Sequence, residues 1–272
     1  MKWLLSLCFL VSYTCYSQSF KEGVGARSAA MANASVTFSD VWSVFNNQAT
    51  LADLKNFQAG VSISNKFLVK ELSLKTAAIT APLKTGTIGL KLSSFGYSLY
   101  QESVFGVAYG IKLSSKFSMG VGLNYESVNV NAEGYSRKSG VTGEISLLAK
   151  LSEKIQVGTH IYNPTRTQLF DYDNERIPTI FNLGASYLFD KQAKFVCEVE
   201  KDIDFKATIK AGIEFLPTDN IYLRLGASNQ PALYSFGFGF KLKQVNIDMA
   251  STYHNVLGFS PQISIVFNGK EK

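Results

Sequence analysis

FSMGVGLNYE, residues 117–126, decides how this chain is read. In an extended strand Phe117, Met119, Val121, Leu123 and Tyr125 share one face, and Ser118, Gly120, Gly122, Asn124 and Glu126 share the other. YSFGFGFKLK (234–243) repeats the pattern, with Tyr234, Phe236, Phe238, Phe240 and Leu242 opposite Ser235, Gly237, Gly239, Lys241 and Lys243. SVFGVAYGIKL (103–113) does so again, with Phe105, Val107, Tyr109, Ile111 and Leu113 opposite Gly106, Ala108, Gly110 and Lys112. A sandwich in water turns its apolar face inward and would have little use for repeated glycines on the outer one. Lipid outside and a crowded lumen inside account for both faces. Val121, Leu123, Phe236, Phe238 and Phe240 are therefore expected to face lipid, and Gly120, Gly122, Gly237 and Gly239 to face inward; a slip of one residue would exchange the faces of a whole strand.

Segments of this kind recur at 57–66, 71–81, 87–95, 103–113, 117–126, 140–151, 155–162, 178–189, 193–201, 206–216, 220–228, 234–243, 245–253 and 259–267, fourteen in all. The number is even, as single-chain outer-membrane barrels require. Most of the segments have the length a tilted strand needs to cross the hydrocarbon layer. Brief polar turns (83–86, 114–116, 152–154, 190–192, 218–220, 244–245) alternate with connections that include the two longest, NVNAEGYSRKS (129–139) and NPTRTQLFDYDNERI (163–177). Short turns belong to the periplasmic side, so both termini are expected there. The predicted fold is all-β, a 14-stranded antiparallel transmembrane β-barrel.

The start of the chain supports export. Lys2 gives a positive end, Trp3 to Val11 an apolar stretch, and Cys15-Tyr16-Ser17 a cleavage site before Gln18, so residues 1–17 read as a signal peptide. No later run of eighteen apolar residues could form a membrane helix. Cys8 and Cys15 leave with the signal, so Cys197, on the lipid face, is the one thiol of the mature chain and no intramolecular disulfide can form. Phe 20, Tyr 13 and Gly 21 against Pro 6 describe a chain of strand formers and small residues. The net charge of +6 is scattered singly rather than in blocks, which argues against a nucleic-acid surface.

GARSAAMANASVTFSDVWSVFNNQATLADL (25–54) precedes the first strand. A barrel of this size is wider than the roughly eight strands whose own side chains fill the interior. The domain reading is therefore a signal peptide (1–17), an N-terminal plug (18–56) and a barrel (57–272). Ser28 to Ala34 permit close backbone approach, Trp42 and Phe45 lie three apart on the apolar side of a helical turn, and Asn46 and Asn47 end it. Inward strand positions carry Lys91, Lys112, Glu144, Lys150, Glu198, Lys210, Glu214, Arg224, Lys241 and Asp248. Their mixed signs predict an ion-paired lattice around a plug, since selective pores gather like charges into rings. His160 and His254 also point inward, but neither has a second ligand at metal spacing. With no nucleophile elbow, phosphate loop or cofactor motif, no cofactor, no metal and no enzymatic activity are expected.

From Gly25 to Leu54 the chain resembles the N-terminal region of FadL-like outer-membrane barrels, and more closely their PorV/PorQ branch, associated with type IX secretion. Gly25-Ala26-Arg27, Met31 and Asn47-Gln48-Ala49-Thr50-Leu51 carry that resemblance in order, with GTHIYNPT (158–165), RIPTIFNLGASYLF (176–189), KAGIEFLPTDNIYLRLGAS (210–228) and YSFGFGFKL (234–242) behind them. Gln48 stands where the family has proline, exchanging a preset φ for a hydrogen-bonding amide. The resemblance implies residence in the outer membrane of a Gram-negative bacterium, in contact with its lipid. It also implies a non-enzymatic structural or adaptor role, with other outer-membrane or surface proteins of a secretion complex as partners. The alternative it offers is transport of hydrophobic small molecules, which would need an apolar pocket between plug and wall and a kinked or parted strand. A third possibility is a barrel that only stabilises the envelope.

Overall fold

A computed structural model of the protein describes residues 23–132, 137–168, 176–190 and 192–270. Its fourteen strands are β1 (Gln58–Asn65), β2 (Ser73–Pro82), β3 (Thr87–Gly96), β4 (Tyr100–Lys112), β5 (Phe117–Val130), β6 (Lys138–Lys150), β7 (Ile155–Tyr162), β8 (Ile180–Leu188), β9 (Ala193–Asp202), β10 (Thr208–Thr218), β11 (Ile221–Asn229), β12 (Ala232–Leu242), β13 (Val245–His254) and β14 (Gly258–Asn268). Each pairs antiparallel with its neighbour in sequence, and β1 pairs with β14 from Gln58↔Asn268 to Ser64↔Gln262, which closes the barrel. Closure leaves no strand edge, the condition for a sheet to stand in lipid. The signal sequence expected at 1–17 lies outside the described residues, as do parts of both long connections.

Strand positions follow the alternation, but several strands outrun it. The apolar pattern of β5 ends at Glu126, yet the ladder continues to Val130, where Gln101↔Asn129 and Tyr100↔Val130 still pair. Backbone bonds do not depend on side-chain polarity, so a strand rises past the lipid layer after its oily residues stop. The alternation marks the membrane belt, not the strand ends. Connection lengths also sort less cleanly than expected. On the side of the long connections, β11 and β12 are joined only by Gln230 and Pro231, and β3 and β4 by residues 97–99.

The faces are as the alternation requires. Val121, Leu123, Phe236, Phe238 and Phe240 are exposed on the outer wall, Cys197 also lies exposed, and Ser118, Asn124 and Ser235 are buried within. The protein's core sits in the lumen. Its largest fully buried side chains include Trp42, Phe38, Met31, Leu51, Val41 and Val44, all from the segment before β1.

Candidate functional site: the plugged lumen

The plug crosses the lumen as two short helices, α1 (Ala26–Ala30) and α2 (Ser43–Asn46), and a 3-10 turn, Gln48–Asp53. None is long enough to be stable alone, so the barrel must hold them. Gly25 precedes α1 at φ 98°, and a Cβ there would lie 2.5 Å from Trp42 Cδ1. Only glycine combines that backbone with the indole against it. Trp42 is buried at the start of α2, and Phe45, partly buried, packs on the same cluster with Val41, Val44 and Leu51. Asn46 pairs with both backbone groups of Val24, accepting its N–H at 2.9 Å and donating to its carbonyl at 3.0 Å. Asn47 donates to the Val36 carbonyl at 2.6 Å and accepts the Ala49 N–H at 3.0 Å. The two asparagines thus tie three parts of the plug together, in addition to ending α2.

Inward glycines trace where the plug touches the wall. A Cβ at Gly120 would come within 2.2 Å of the Gln48 carbonyl carbon, one at Gly110 within 2.3 Å of its oxygen, and one at Gly226 within 2.4 Å of the Ala32 nitrogen. Met31 lies against Gly212 and Gly226 in the same way. The small inward faces that distinguish the sequence are seats for backbone.

Polar wall residues lock the plug at separate points. On one side the buried Glu144 carboxylate accepts from Lys91 at 2.5 Å and from Asn124 at 2.6 Å, meets His160 Nε2 at 2.8 Å, and accepts from the Gln48 amide. Lys91 also stands 5.2 Å from the centre of the Phe45 ring. Across the lumen, Glu214 accepts a two-pronged contact from Arg27 of the plug, Nη2 at 2.7 Å and Nε at 2.9 Å. Arg224 donates to Glu214 at 2.7 Å and to Asp248 at 2.5 Å. Arg27 lies 4.3 Å over the Phe38 ring and reaches Asp40 at 3.3 Å. Burial opposes the charge of Arg27, but Glu214 and Asp40 raise its pKa above the ordinary arginine value, so it stays protonated. Burial raises the Asp40 carboxyl, against the lowering effects of Arg27 and of the Trp42 N–H that it accepts at 2.9 Å.

A third lock uses backbone. Glu198 accepts the N–H groups of Ser35 at 2.8 Å and Val36 at 2.9 Å, while Lys210 lies 3.9 Å away and pairs with Glu200 at 2.7 Å. At one end of the plug, Asp53 meets Lys150 at 2.6 Å and Lys112 at 3.3 Å. The site thus brings together Gly25, Arg27, Met31, Trp42, Phe45, Asn46 and Asn47 with Lys91, Glu144, Glu214, Arg224 and Asp248, and Ala26 donates its N–H to Ser264 at 3.2 Å. Lys241 stays exposed near the end of β12, and His254 accepts the N–H groups of Val256 and Leu257 beyond β13. Asp40 and Phe38 were not singled out from sequence. The Ser-Asp pair two residues before Trp42 is the signal for Asp40, because that spacing favours an Asx turn.

Two cavities flank the plug. One of about 40 Å³, too small for a hydrocarbon ligand, is bordered by Phe45, Tyr162 and Ile180 together with His160, Glu198 and Lys210. The other, about 160 Å³, is bordered by Arg27, Asp40, Trp42, Gln58, Arg224 and Asp248. Neither is the apolar pocket that hydrophobic transport was expected to need. Among the described residues the ladder shifts register once, between Phe215 and Thr218, and no strand is parted from its neighbour.

No protein-family model matches the chain, and no curated protein matches its sequence. Solved structures match along nearly their whole length. A monoaromatic hydrocarbon channel, CymD, superposes with a TM-score of 0.71 at 14% identity, covering 91% of this chain and 98% of that one. The Ralstonia pickettii toluene transporter TbuX gives 0.71 at 12%, covering 92% and 98%. A Pseudomonas aeruginosa FadL homologue gives 0.61 at 11%, covering 89% and 96%. The fold is that of the FadL-like outer-membrane barrels.

This corrects the reading of the chain as a secretion adaptor. Structures that share its barrel from end to end include some described as hydrocarbon channels and toluene transporters, and none of the comparisons supports the narrower PorV/PorQ resemblance or secretion-complex partners. The short motifs behind that resemblance mark plug and strand seats, which barrels of other function need equally.

Proposed function

We propose that the protein is a plugged outer-membrane channel that passes small hydrophobic molecules without changing them chemically, with both termini in the periplasm. One observation carries the reading: an N-terminal plug locked inside a closed barrel whose end-to-end structural likenesses include hydrocarbon channels. The flanking cavities are small, with charged and apolar side chains mixed in their walls, and the ladder is closed, so passage requires the plug to shift rather than a ready-made path beside it. On the rim away from the termini, Leu68 is 67% and Val256 84% exposed, with Val69 and Leu257 also exposed. The Phe67 ring stands edge-on to His254 at 6.1 Å, and the Phe67 N–H donates to Ser260 at 3.0 Å, which draws the first connection onto β14. Such an apolar rim can capture a sparingly soluble molecule before it reaches the plug.

The test is uptake of radiolabelled toluene by cells with an intact outer membrane, carrying the protein or an empty vector. Faster uptake with the protein is expected, and slower uptake with Leu68→Asp/Val256→Asp than with the parent. Equal uptake with protein and vector would refute the reading.

A further inference from the structure

Outside the lumen, two rows of side chains cross the wall from β2 to β6, one above the other. The lower row is Ala77↔Leu92↔Phe105↔Tyr125↔Val141, each residue paired with the next through the ladder. Two positions further along every strand, on the same face by alternation, the pairs run Lys75↔Ser94↔Ser103↔Ser127↔Ser139, with Ser127 buried and bonded to Arg137. The lower row is the last of the apolar belt on this wall. The row above it changes, strand after strand, to a lysine and hydroxyls.

A groove of about 580 Å³ lies over these rows, bordered by Lys75, Ala77, Leu92, Ser94, Ser103, Phe105, Tyr125, Ser127 and Arg137 among others. A second depression of about 210 Å³ shares Lys75, Ser94 and Gln101 with it and continues it toward Tyr97 and Ser98. The groove exists because the outward residues Ala77, Ser94 and Ser103 are too short to fill the space between Leu92, Phe105 and Tyr125. Gln101 donates to Ser94 at 3.1 Å and Arg137 to Ser127 at 3.1 Å. No carboxylate among the described residues lines either depression.

Hydroxyls and cations facing acyl chains would be costly to desolvate, so this shelf calls for a polar headgroup set directly above apolar chains. Lys75 and the Ser127–Arg137 pair stand about three strand spacings apart, ~14 Å at ~4.8 Å each. That span is wide for a single phosphodiester and suits two separated phosphates, each taking charge-assisted bonds from a cation and from hydroxyls between them. We propose that the groove binds a phosphorylated glycolipid of the outer leaflet, its phosphates at Lys75 and Arg137 and its acyl chains along Ala77, Leu92 and Phe105. The proposal rests on the termini being periplasmic, which puts this end of the strands in the outer leaflet.

The probe is bis-phosphorylated, hexa-acylated lipid A, added to the full chain purified in neutral detergent and followed by native mass spectrometry. A one-to-one complex is expected, weakened at least tenfold by Lys75→Gln/Arg137→Gln and to the same degree when the lipid is enzymatically dephosphorylated. Ser103→Trp, which fills the groove, should abolish the complex while the barrel still runs as a folded band in unheated gels and toluene uptake stays at the parental rate. Equal binding by the double variant or by the dephosphorylated lipid would overturn the proposal. So would a second copy of the chain, captured by cross-linking through Ser103→Cys, in place of lipid. Loss of lipid binding with uptake unchanged separates this site from the channel. Wild-type protein that binds no lipid A but still carries toluene would refute the groove and leave the channel reading standing.

Discussion

The plug meets the wall in two different ways on its two sides. Around Glu144 the wall is complete in itself: Lys91 balances the carboxylate, Asn124 and His160 fill its remaining positions, and the plug adds only the neutral amide of Gln48. Around Glu214 the wall gives no cation in direct contact that is its own: Arg224 is shared between Glu214 and Asp248, Lys194 opposite Glu214 on β9 stands 5.1 Å from the Phe38 ring of the plug, and Arg27 of the plug makes the two-pronged contact. An ion pair completed only on docking makes that contact all or none. A neutral amide on a satisfied pair can let go without leaving a bare charge. The Gln48 side is therefore the one expected to yield when the plug moves, with Arg27 holding the other side as an anchor.

The largest effect should come from breaking the anchor. Arg27→Gln leaves the buried Glu214 with half its partners; removing one member of a fully buried pair costs about 3–5 kcal/mol, and the 22% exposure of the Arg27 side chain puts this loss toward or below the lower end of that range. The variant should give frequent open events in planar bilayers and admit protease to the plug while the barrel remains folded. A closed, protected plug would show that the ionic anchor does not hold it.

Steric seating should matter next. Gly120→Val places a side chain where the Gln48 backbone passes, with the Cβ alone only 2.2 Å from its carbonyl carbon. Overpacking of this kind costs about 1–3 kcal/mol. Gly143, on the outer face of β6 with nothing within 4 Å of an added Cβ, is the control, and Gly143→Val should leave thermal stability unchanged. Equal losses at both positions would mean that the glycines serve the strand rather than the plug.

Gln48→Leu should be milder, because it removes a hydrogen bond to an already paired carboxylate, worth about 1.5–3 kcal/mol, and a weaker one at 3.2 Å to the Val44 carbonyl, and leaves no bare charge. Its conductance should rise less than that of Arg27→Gln. A larger rise would invert the comparison and make the Glu144 side the anchor.

Asp40 should show the smallest effect, and one that depends on pH. Burial raises its carboxyl above the ordinary value of 3.8, so the docked plug holds this proton more tightly than the unfolded chain does. The contribution of Asp40 to stability is then greatest below 3.8 and is lost as pH rises through its folded value. Asp40→Asn keeps an oxygen for the Trp42 N–H and stands in for the protonated carboxyl, so it should match the parent in acid and flatten the fall in stability toward neutral pH, where the variant is slightly the more stable. An unaltered pH profile in thermal melts would remove Asp40 from the account.

Much of the barrel was legible because lipid outside and plug inside impose opposite demands on alternate residues. Phe236, Gly237, Phe238 and Gly239 carry both demands in four consecutive positions. The strand ends were less legible, since above the belt Gln101 and Asn129 pair through backbone alone. Trp42 and Phe45 announced an apolar element by their spacing, and the inward charges announced a lattice by their mixed signs. The wiring of that lattice could not be read: Arg27 and Glu214 are 187 residues apart, and only closure of the barrel brings them together. The same limit hid the hub at Glu144, whose partners come from β3, β5, β7 and the plug.

The central claim is that the plug closes the barrel. It is tested most directly by deleting residues 25–50, confirming the folded barrel by its shifted band in unheated gels, and recording single channels in planar bilayers. The intact protein should be nearly silent, while the deletion variant should conduct steadily, as a water-filled lumen of fourteen strands would. Equal conductance in the two forms would contradict the account.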